Sequence, residues 1–492
     1  MSWGSCSDLF KGVPVAFALA AVLFPLTLSE PASALPSYAR QTGQPCGTCH
    51  TDFPALTPYG RRFKLLGYTT GGGPYRTTPF SRAPTIDAGS EVNDLADYAK
   101  GNPPPGNPDK VWVPPISVMA IEGYTHTQAP LAPPTAPYGP NDNWVLAPFS
   151  FFVAGAVTEH IGTFTQITYS SAQGGGAWSW DNTDIRYADV RTIGGVEVIY
   201  GITANNNPTV QDVWNTTPAW TFPYAISTLA PTPAAHTLID GTFAAHVGST
   251  GVYTYINNML YLEASAYRTL DPGAQQFLGV SAFDTPGLFE GAAPYWRLAF
   301  EPHWREHWLM LGTFGMFAKV HPFVDPSGAS GATTLPQGDS YTDLGYDAQY
   351  QYQGSHFWLT LRASYIREFQ KLDATFSNGG ASNPSDTLNT LRLQGSLAIG
   401  GDNRIVLTGQ HFGTWGTADP LLYAGLASGV SPNSNGWIAE IAYIPFGSSF
   451  APGWPWANAR IGLQYTWYDK FDGTTLGAHS NDTLFLHAWL AF

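Results

Sequence analysis

The chain has few charged residues for its length of 492, and few of them are basic. Charged residues make up 12% of the sequence, about half the roughly 25% typical of soluble domains. Beyond residue 28 there is no run of ~18 apolar residues, which excludes a helical membrane protein. Lys and Arg number 22 against 36 Asp and Glu, so the net charge of −14 has the wrong sign for nucleic-acid phosphates. A large β-rich protein or a membrane barrel remains.

The N-terminus has the pattern of an export signal. Lys11 precedes the apolar stretch Gly12–Leu28, and small residues follow at Ala32 and Ala34. These features predict a secretory signal peptide over residues 1–34, cleaved after the small-residue end. The alternative, a membrane anchor, is disfavoured by two prolines in the apolar region and by that small-residue end.

The sequence has only three cysteines, and two of them lie in a haem-attachment motif. Cys6 falls in the predicted signal peptide, whereas Cys46 and Cys49 precede His50 in the pattern C-x-x-C-H. Two thiols at this spacing can add to the two vinyl groups of haem, and the next histidine is placed to bind the iron. The alternatives are a simple disulfide, which would want a thioredoxin-like context, and half a zinc site, which lacks a second ligand pair nearby. The motif predicts one covalent haem c, with His50 as the proximal ligand.

The residues after the motif predict one short helix. Thr57 suits the N-cap, Pro58 the first helical position, and Gly67 the end. An apolar stripe on this helix would face the haem and comprises Tyr59, Phe63 and Leu66. Three basic residues lie off this stripe: Arg61, Arg62 and Lys64. Their side chains would either contact the haem propionates or remain solvated.

The chain divides into a small haem segment and a large β region. Residues 35–78 are too few to bury a haem and keep a core of their own. Residues 79–110 are rich in Pro and Gly and predict a linker. From 111 to 492 the pattern predicts strands. We therefore expect the haem segment to lean on the β region.

Alternation with period two and the sorting of loops predict a transmembrane antiparallel β-barrel of about 16 strands. In residues 357–368 apolar positions oppose Thr360, Arg362 and Glu368. A soluble sandwich would alternate too, but the predicted connections also alternate between tight links, such as Ser249–Gly251, and long loops, such as 204–238. The last strand ends at Phe492, which is similar to the C-terminal signal of outer-membrane barrels. The fold class is therefore all-β, with the haem segment in or below a lumen wide enough for water.

Two stretches of the sequence resemble those of a known family. The stretch Ala39–Tyr68, followed by a porin-like chain, resembles the outer-membrane monohaem cytochrome–porin fusions of iron-oxidising bacteria, and Asn205–Trp220 is similar to a segment of theirs. The resemblance implies that Cys46 and Cys49 attach haem and that His50 binds its iron. It further implies an outer-membrane cytochrome that takes electrons from extracellular Fe(II), or another small reductant, and passes them to a periplasmic c-type cytochrome or copper protein.

The sequence departs from some relatives in its second iron ligand. They carry another His or a Met close to the motif, whereas this chain has neither between His50 and Trp112. A sixth ligand would then come from Met119 or His126 on the first strand, or from Lys64. A haem without a sixth ligand is the alternative.

Two functions stay open on the sequence alone. In the first, the protein acts as an iron:cytochrome c oxidoreductase-type electron carrier, with no residue that is catalytic in its own right. In the second, it is a solute-conducting porin with a haem-bearing plug or sensor. In both, the lipid outer membrane surrounds the barrel and both termini face the periplasm.

Overall fold

A computed structural model of the protein describes residues 35–42, 44–69, 90–92, 111–113, 115–131, 138–170, 177–280, 285–324, 333–400, 405–445 and 455–492. The predicted signal peptide lies outside these residues, as does most of the predicted linker. Within the linker region, Ser90–Val92 pairs antiparallel with Val111–Val113.

Sixteen antiparallel strands close into a barrel, which confirms the predicted fold and strand number. The strands are β1 (Ile116–Thr127), β2 (Asn143–Ala156), β3 (Ile161–Ser170), β4 (Ala177–Ile193), β5 (Val196–Asn205), β6 (Val247–Ile256), β7 (Leu260–Thr269), β8 (Ala293–Phe300), β9 (His307–Pro322), β10 (Asp339–Gln353), β11 (Phe357–Lys371), β12 (Ser385–Ile399), β13 (Ile405–Gly416), β14 (Ser434–Tyr443), β15 (Asn458–Lys470) and β16 (Thr483–Ala491). Two short pieces, Gly287–Phe289 and His303–Trp304, extend the eighth strand along β9.

The helices of the described residues are short, and none of them forms part of the barrel wall. They are α1 (Pro36–Thr42), α2 (Cys46–Cys49), α3 (Pro58–Leu65), α4 (Pro272–Phe277) and α5 (Asp373–Ser377), with single turns at Pro218–Trp220, Leu238–Thr242 and Ala478–Asn481. Among the described residues, no helix combines the length and the apolar character needed to cross a membrane.

The strands present apolar side chains outward and polar ones to the lumen, as the alternation predicted. On β11, Leu361 and Phe369 are 45% and 41% exposed, whereas Arg362 and Glu368 between them are buried. Leu311, Leu407 and other large apolar residues continue this outer surface around the barrel. A barrel that leaves leucine and phenylalanine exposed on its outside and buries arginine inside is suited to a lipid surround.

Connections are mostly short at one end of the barrel and mostly long at the other; residues 444–457, between β14 and β15, are the long exception at the short-connection end. β16 pairs with β1, and backbone hydrogen bonds between Val118 and Phe492 complete the closure. β1 starts and β16 ends at the end that carries the short connections.

One predicted tight link is wrong. The structure places Ser249–Gly251 inside β6, and the turn lies at Asn257 and Asn258. Both asparagines have positive φ, 53° and 52°, which asparagine tolerates better than most residues and which a tight hairpin requires. The Gly-Ser-Thr-Gly stretch is compatible with a turn by composition, but cross-strand pairing selects the Asn-Asn pair.

Candidate functional site

The haem segment lies inside the barrel, against the inner wall near the short-connection end. α1 contacts the start of β1, where the backbone N–H of Ser37 donates to Ser117 Oγ at 3.0 Å and Arg40 donates to the carbonyl of Ile116 at 2.5 Å. Further along, the hydroxyl of Tyr68 donates to Asp184 of β4 at 2.6 Å. These contacts give the small segment the support that it cannot supply itself.

The C-x-x-C-H motif forms one tight helical turn followed by a hairpin. His50 leaves α2 in an extended conformation and begins a two-stranded hairpin, His50–Asp52 with Ala55–Leu56. Thr57 caps α3 as predicted, accepting from the N–H of Gly60 at 3.1 Å. The backbone carbonyl of Cys49 would lie 2.2 Å from a β-carbon at position 60, so the motif and α3 can pack this closely only with glycine there.

An apolar cavity of about 420 Å³ opens beside the motif. Cys46, Cys49 and His50 line one side of it, and Phe63 and Met119 also contribute to its walls. The rest of the lining is mostly aromatic or aliphatic and includes Tyr38, Phe53, Phe152, Phe164, Trp220 and Trp489. A cavity of this size and lining is typical of a cofactor site.

The environment of His50 suits an iron ligand. Its Nδ1 lies 3.1 Å from the carbonyl oxygen of Pro54, a contact that orients the ring and leaves Nε2 as the ligating atom. Burial lowers the pKa of His50 to about 4, although the carbonyls of Pro54 and Ala55 act in the opposite direction. The imidazole is therefore neutral near pH 7, the form that binds metals.

The two cysteines lie in the same helical turn, and the thiol of Cys49 is protonated near pH 7. Burial raises the pKa of Cys49 to about 12, and the neighbouring Cys46 adds to the rise. Neither cysteine is joined in a disulfide. The residues present therefore fit a covalently held haem: two adjacent thiols, an oriented neutral histidine and an aromatic cavity at the same place.

Two of the three predicted propionate cations bind the barrel wall instead. Arg61 forms an ion pair with Glu301 and donates to Gln351 at 2.6 Å. Arg62 donates to Glu197 at 2.5 Å and to Asn258 at 2.7 Å. Both guanidinium groups are thus fixed between α3 and the short-connection end of the barrel. They are neither solvated nor among the residues that line the cavity, so neither of the two predicted alternatives describes them.

Lys64 lines the cavity, as expected of a haem contact. Its Nζ donates to the carbonyls of Val210 and Asp212 at 2.7 and 2.9 Å and lies 4.7 Å from the centre of the Trp220 ring. Burial and the charge of Arg186 lower the pKa of Lys64 to about 7.

The predicted apolar stripe divides between two environments. Phe63 lines the cavity and contacts Tyr38 edge to face, with 5.2 Å between ring centres. Leu66 belongs to a separate cluster with Trp214 and Tyr261, and Tyr59 is not among the residues that line the cavity. Only Phe63 of the stripe can therefore contact a haem in this cavity.

Of the three candidate sixth ligands, the two on β1 lie on opposite faces of that strand. Met119 points into the lumen, is 7% exposed and lines the cavity. His126 belongs to the outward-facing set, and its Nδ1 pairs with exposed Asp142 at 2.7 Å. His126 is seven positions from Met119, an odd spacing that puts them on opposite sides of a strand. The structure therefore corrects the expectation for His126 and keeps Met119.

The long connection between β5 and β6, residues 206–246, folds into the lumen. We call it the inward loop. Trp220 and Asp212 line the cavity, whereas Trp214 is buried elsewhere, against Tyr261 and Arg297. Further along, the backbone N–H groups of Leu238 and Ile239 donate to Glu368 and Asp343 of the wall. The inward loop thus covers the cavity from the long-connection side.

Sequence reasoning missed the aromatic residues of the barrel that complete the cavity. Trp489 of β16, Phe152 of β2 and Phe164 of β3 point inward and line it. Trp489 contacts Phe53 of the haem segment, with ring centres 4.6 Å apart. Large aromatics on the lumen face of a barrel strand were the available signal, because an empty aqueous pore would favour polar residues there.

A change at Met119 tests its place beside the iron. Met119→Leu keeps the volume of the side chain but removes the sulfur, so we expect loss of the sulfur-to-iron absorption band of a ferric haem with a thioether ligand. His126→Ala is the matched control on the same strand and should leave the spectrum unchanged. A spectrum identical in Met119→Leu and wild type would show that the sulfur does not bind the iron.

Comparisons with known proteins find similarity of architecture alone. No protein-family model and no curated protein sequence matches the chain. Among solved structures it is similar to OmpF of Salmonella typhi in complex with daunomycin, with 10% identity over 77% of this chain and 97% of that one and a TM-score of 0.42. The outer membrane channel DcaP of Acinetobacter baumannii gives 11% identity over 77% and 96%, with a TM-score of 0.41. OprB of Pseudomonas putida gives 13% over 77% and 93%, with a TM-score of 0.38.

Proposed function

We propose that the protein is an outer-membrane c-type cytochrome built into a porin-like barrel, as the sequence resemblance implies. The observation that carries the proposal is the position of the C-x-x-C-H motif. Cys46, Cys49 and a neutral, oriented His50 line an aromatic cavity inside the lumen, and Met119 lines the same cavity. A plug that served only to close a pore would need neither two adjacent thiols nor a cavity beside them.

The outward apolar surface supports the membrane location. Leu262, Phe317 and Ile441 are 40%, 44% and 49% exposed on the outside of the barrel, where water would make such a surface costly. In a lipid outer membrane the same surface is buried. The short-connection end, where β1 starts and β16 ends, would then face the periplasm.

Each residue of the site has a distinct task in this proposal. When bound, haem c supplies a one-electron couple, so that one Fe(II) oxidised outside matches one electron delivered to a periplasmic c-type cytochrome or copper protein. Cys46 and Cys49 hold the group covalently, and His50 binds the iron through Nε2. Trp220 and Phe63 keep water from the cavity. Lys64 is the charged side chain among the described residues lining the cavity that can meet a propionate, once its contacts with the inward loop rearrange.

The contents of the lumen favour electron transfer over free passage of solutes. Several arginines that point inward are already paired with carboxylates of the wall or loop, as Arg297 is with Asp347 at 2.7 Å and Arg186 with Asp184 at 2.8 Å, and Arg362 donates to the backbone carbonyl of Trp214 in the inward loop. The haem segment and the inward loop occupy the space between them. The second candidate, a solute-conducting porin with a haem-bearing plug, is favoured by one observation: another chamber lies on the long-connection side of the inward loop.

Fe(II) enters the proposal as substrate. The described residues contain no group of three or more His, Cys, Asp or Glu suited to hold a metal ion, so we expect a passing encounter at the barrel mouth. The net charge of −14 favours the approach of a cation.

Stopped-flow mixing tests the donor. Oxidised full-length protein, reconstituted in liposomes with the long loops outward, is mixed with Fe(II) while the visible spectrum is followed. We expect reduction with a rate that falls steeply as salt is added, because screening weakens the attraction of the cation. Dithionite is the control for intact haem. If dithionite reduces the protein and Fe(II) does not, iron is not the donor and the solute-porin function takes precedence.

A further inference from the structure

The inward loop divides the lumen into two chambers. The second has a volume of about 420 Å³ and is walled by the inward loop and by β12 to β16. Ala219, Thr221, Pro223 and Ile226 line both it and the haem cavity. A single layer of loop therefore separates the two chambers. We call the second one the outer chamber, since Thr483 and Phe485 of its wall lie near the long-connection end of β16.

Polar side chains without partners point into the outer chamber. Gln410 of β13 is 3% exposed and lines the chamber, and its amide makes no hydrogen bond to any part of the chain that the structure describes. Thr390 of the neighbouring strand is 4% exposed and lines the same chamber, and its hydroxyl likewise lacks a partner among the described residues. The polar atoms of both side chains face the chamber and are available to hydrogen-bond to a molecule that occupies it.

Two other polar side chains of the wall, Gln464 and Arg392, are already engaged. The amide of Gln464 donates to the carbonyl of Ala225 at 3.2 Å and to Glu440 at 3.0 Å, which ties the loop layer to β14 and β15. Arg392 pairs with Asp240 at 2.6 Å. Gln410 and Thr390 are thus distinct from the groups that hold the loop.

The charges and rings of the wall define the class of ligand. Arg392 and Asp240 neutralise each other, and His236 at the rim is the other charge-bearing candidate among the described lining residues. An ion would find no unpaired opposite charge inside. Phe412 and Tyr468 offer an apolar surface beside the amide of Gln410. Their rings contact each other edge to face, with ring centres 5.6 Å apart. A ring that bears hydroxyl groups matches this combination of flat apolar surface and neutral donors and acceptors.

We propose that the outer chamber is a binding site for a small, uncharged, six-membered ring carrying several hydroxyl groups, held by Gln410 and Thr390 against Phe412. This site goes beyond the proposed electron transfer and does not depend on the haem. The same chemistry occurs in a saturated sugar and in an aromatic diol. The first would indicate a role in solute binding, and the second would indicate an organic reductant next to the haem cavity.

Ligand-observed NMR titration of the full-length protein in detergent micelles tests the site, with D-glucose and 1,4-dihydroxybenzene as separate probes. We expect at least one to bind with a dissociation constant on the order of 1 mM, the range for a few hydrogen bonds and one ring contact. Gln410→Leu keeps the shape of the side chain but removes the amide, so it should weaken that probe about tenfold. Thr390→Val should weaken it in the same direction.

Thr408→Val is the matched control, because Thr408 faces the lumen from the same strand as Gln410 without lining the chamber. It should leave binding unchanged. Folding of each variant is checked by the shift in gel mobility that unheated barrels show. Absence of binding by both probes in the folded wild type, or equal affinity in Gln410→Leu, Thr390→Val and wild type, would overturn the proposal.

Discussion

A variant with Cys46→Ser and Cys49→Ser is expected to carry no covalently held haem. In wild type a denaturing gel stained for haem peroxidase activity should give a band at the mass of the protein, since thioether bonds survive denaturation. Serine hydroxyls cannot replace thiols in this addition, so the band should vanish completely. The measurement separates covalent haem from haem that is merely adsorbed in the aromatic cavity.

Thr48→Ala is the matched control for this variant. Thr48 lies between the two cysteines, and its side chain makes only a long contact of 3.4 Å with Gln44. Its backbone carbonyl, which accepts from Thr57, is retained in alanine. The stained band should therefore persist in Thr48→Ala. Haem that is extracted from denatured wild-type protein by acid acetone would contradict covalent attachment and remove the basis of the proposed function.

The second large effect is expected at Arg297, which anchors the inward loop. Its guanidinium is buried and lies 3.3 Å from Asp212 of the loop and 2.7 Å from Asp347 of β10. Asp212 in turn accepts from the backbone N–H groups of Trp214, Thr216 and Thr217. Burial raises the pKa of Asp212, but Arg297 and these N–H groups outweigh it, so the pKa lies below its usual range.

Arg297→Met leaves two buried carboxylates without their cation. Breaking a buried pair in this way costs about 3–5 kcal/mol. The inward loop is the part that can move, so the population with the loop outside the lumen should rise by about 100-fold or more. Limited proteolysis in detergent, followed by mass spectrometry, should show rapid cleavage within residues 206–246 in the variant and slow cleavage in wild type.

Arg191→Met provides the comparison for this experiment. Arg191 also pairs with an aspartate, Asp189, at 2.7 Å, but its side chain is 57% exposed. Asp189 is buried, but the Arg191 side chain is mostly in solvent, so we expect this pair to contribute about 0–1 kcal/mol and cleavage of the loop not to change. Rapid cleavage of the loop in wild type, or a resistant loop in Arg297→Met, would show that the loop is not held by this buried pair.

Much of the fold was predictable from the sequence because it depends on local regularities. Period-two alternation assigns one face of each strand to lipid and the other to the lumen, and Leu361 and Arg362 occupy the predicted faces. The number of residues between successive strands distinguishes the short connections from the long ones. Where two local signals compete, prediction fails: the glycine-rich Ser249–Gly251 is as good a turn by composition as Asn257-Asn258, and only pairing across strands decides between them.

The chemistry of the candidate site was predictable from the sequence, but the residues that surround it were not. The spacing of Cys46, Cys49 and His50 fixes what they can bind, because five consecutive residues hold the whole motif. The contacts of the basic residues after the motif are not determined by local spacing. Whether Arg61 meets a propionate or a carboxylate depends on Glu301, some 240 residues away, which no local pattern indicates.

The sequence by itself determined the motif, the alternation and the sorting of loops, since each depends on residues close together in the chain. It even excluded a shared role for Met119 and His126, because an odd spacing on one strand puts them on opposite faces. Only closure of the barrel decided which of these two residues points toward the cavity, because the pairing of β16 with β1 sets the inward side. The same closure brings the haem segment, the inward loop and the aromatics of β16 together, and long-range contacts of this kind exist only in the tertiary structure.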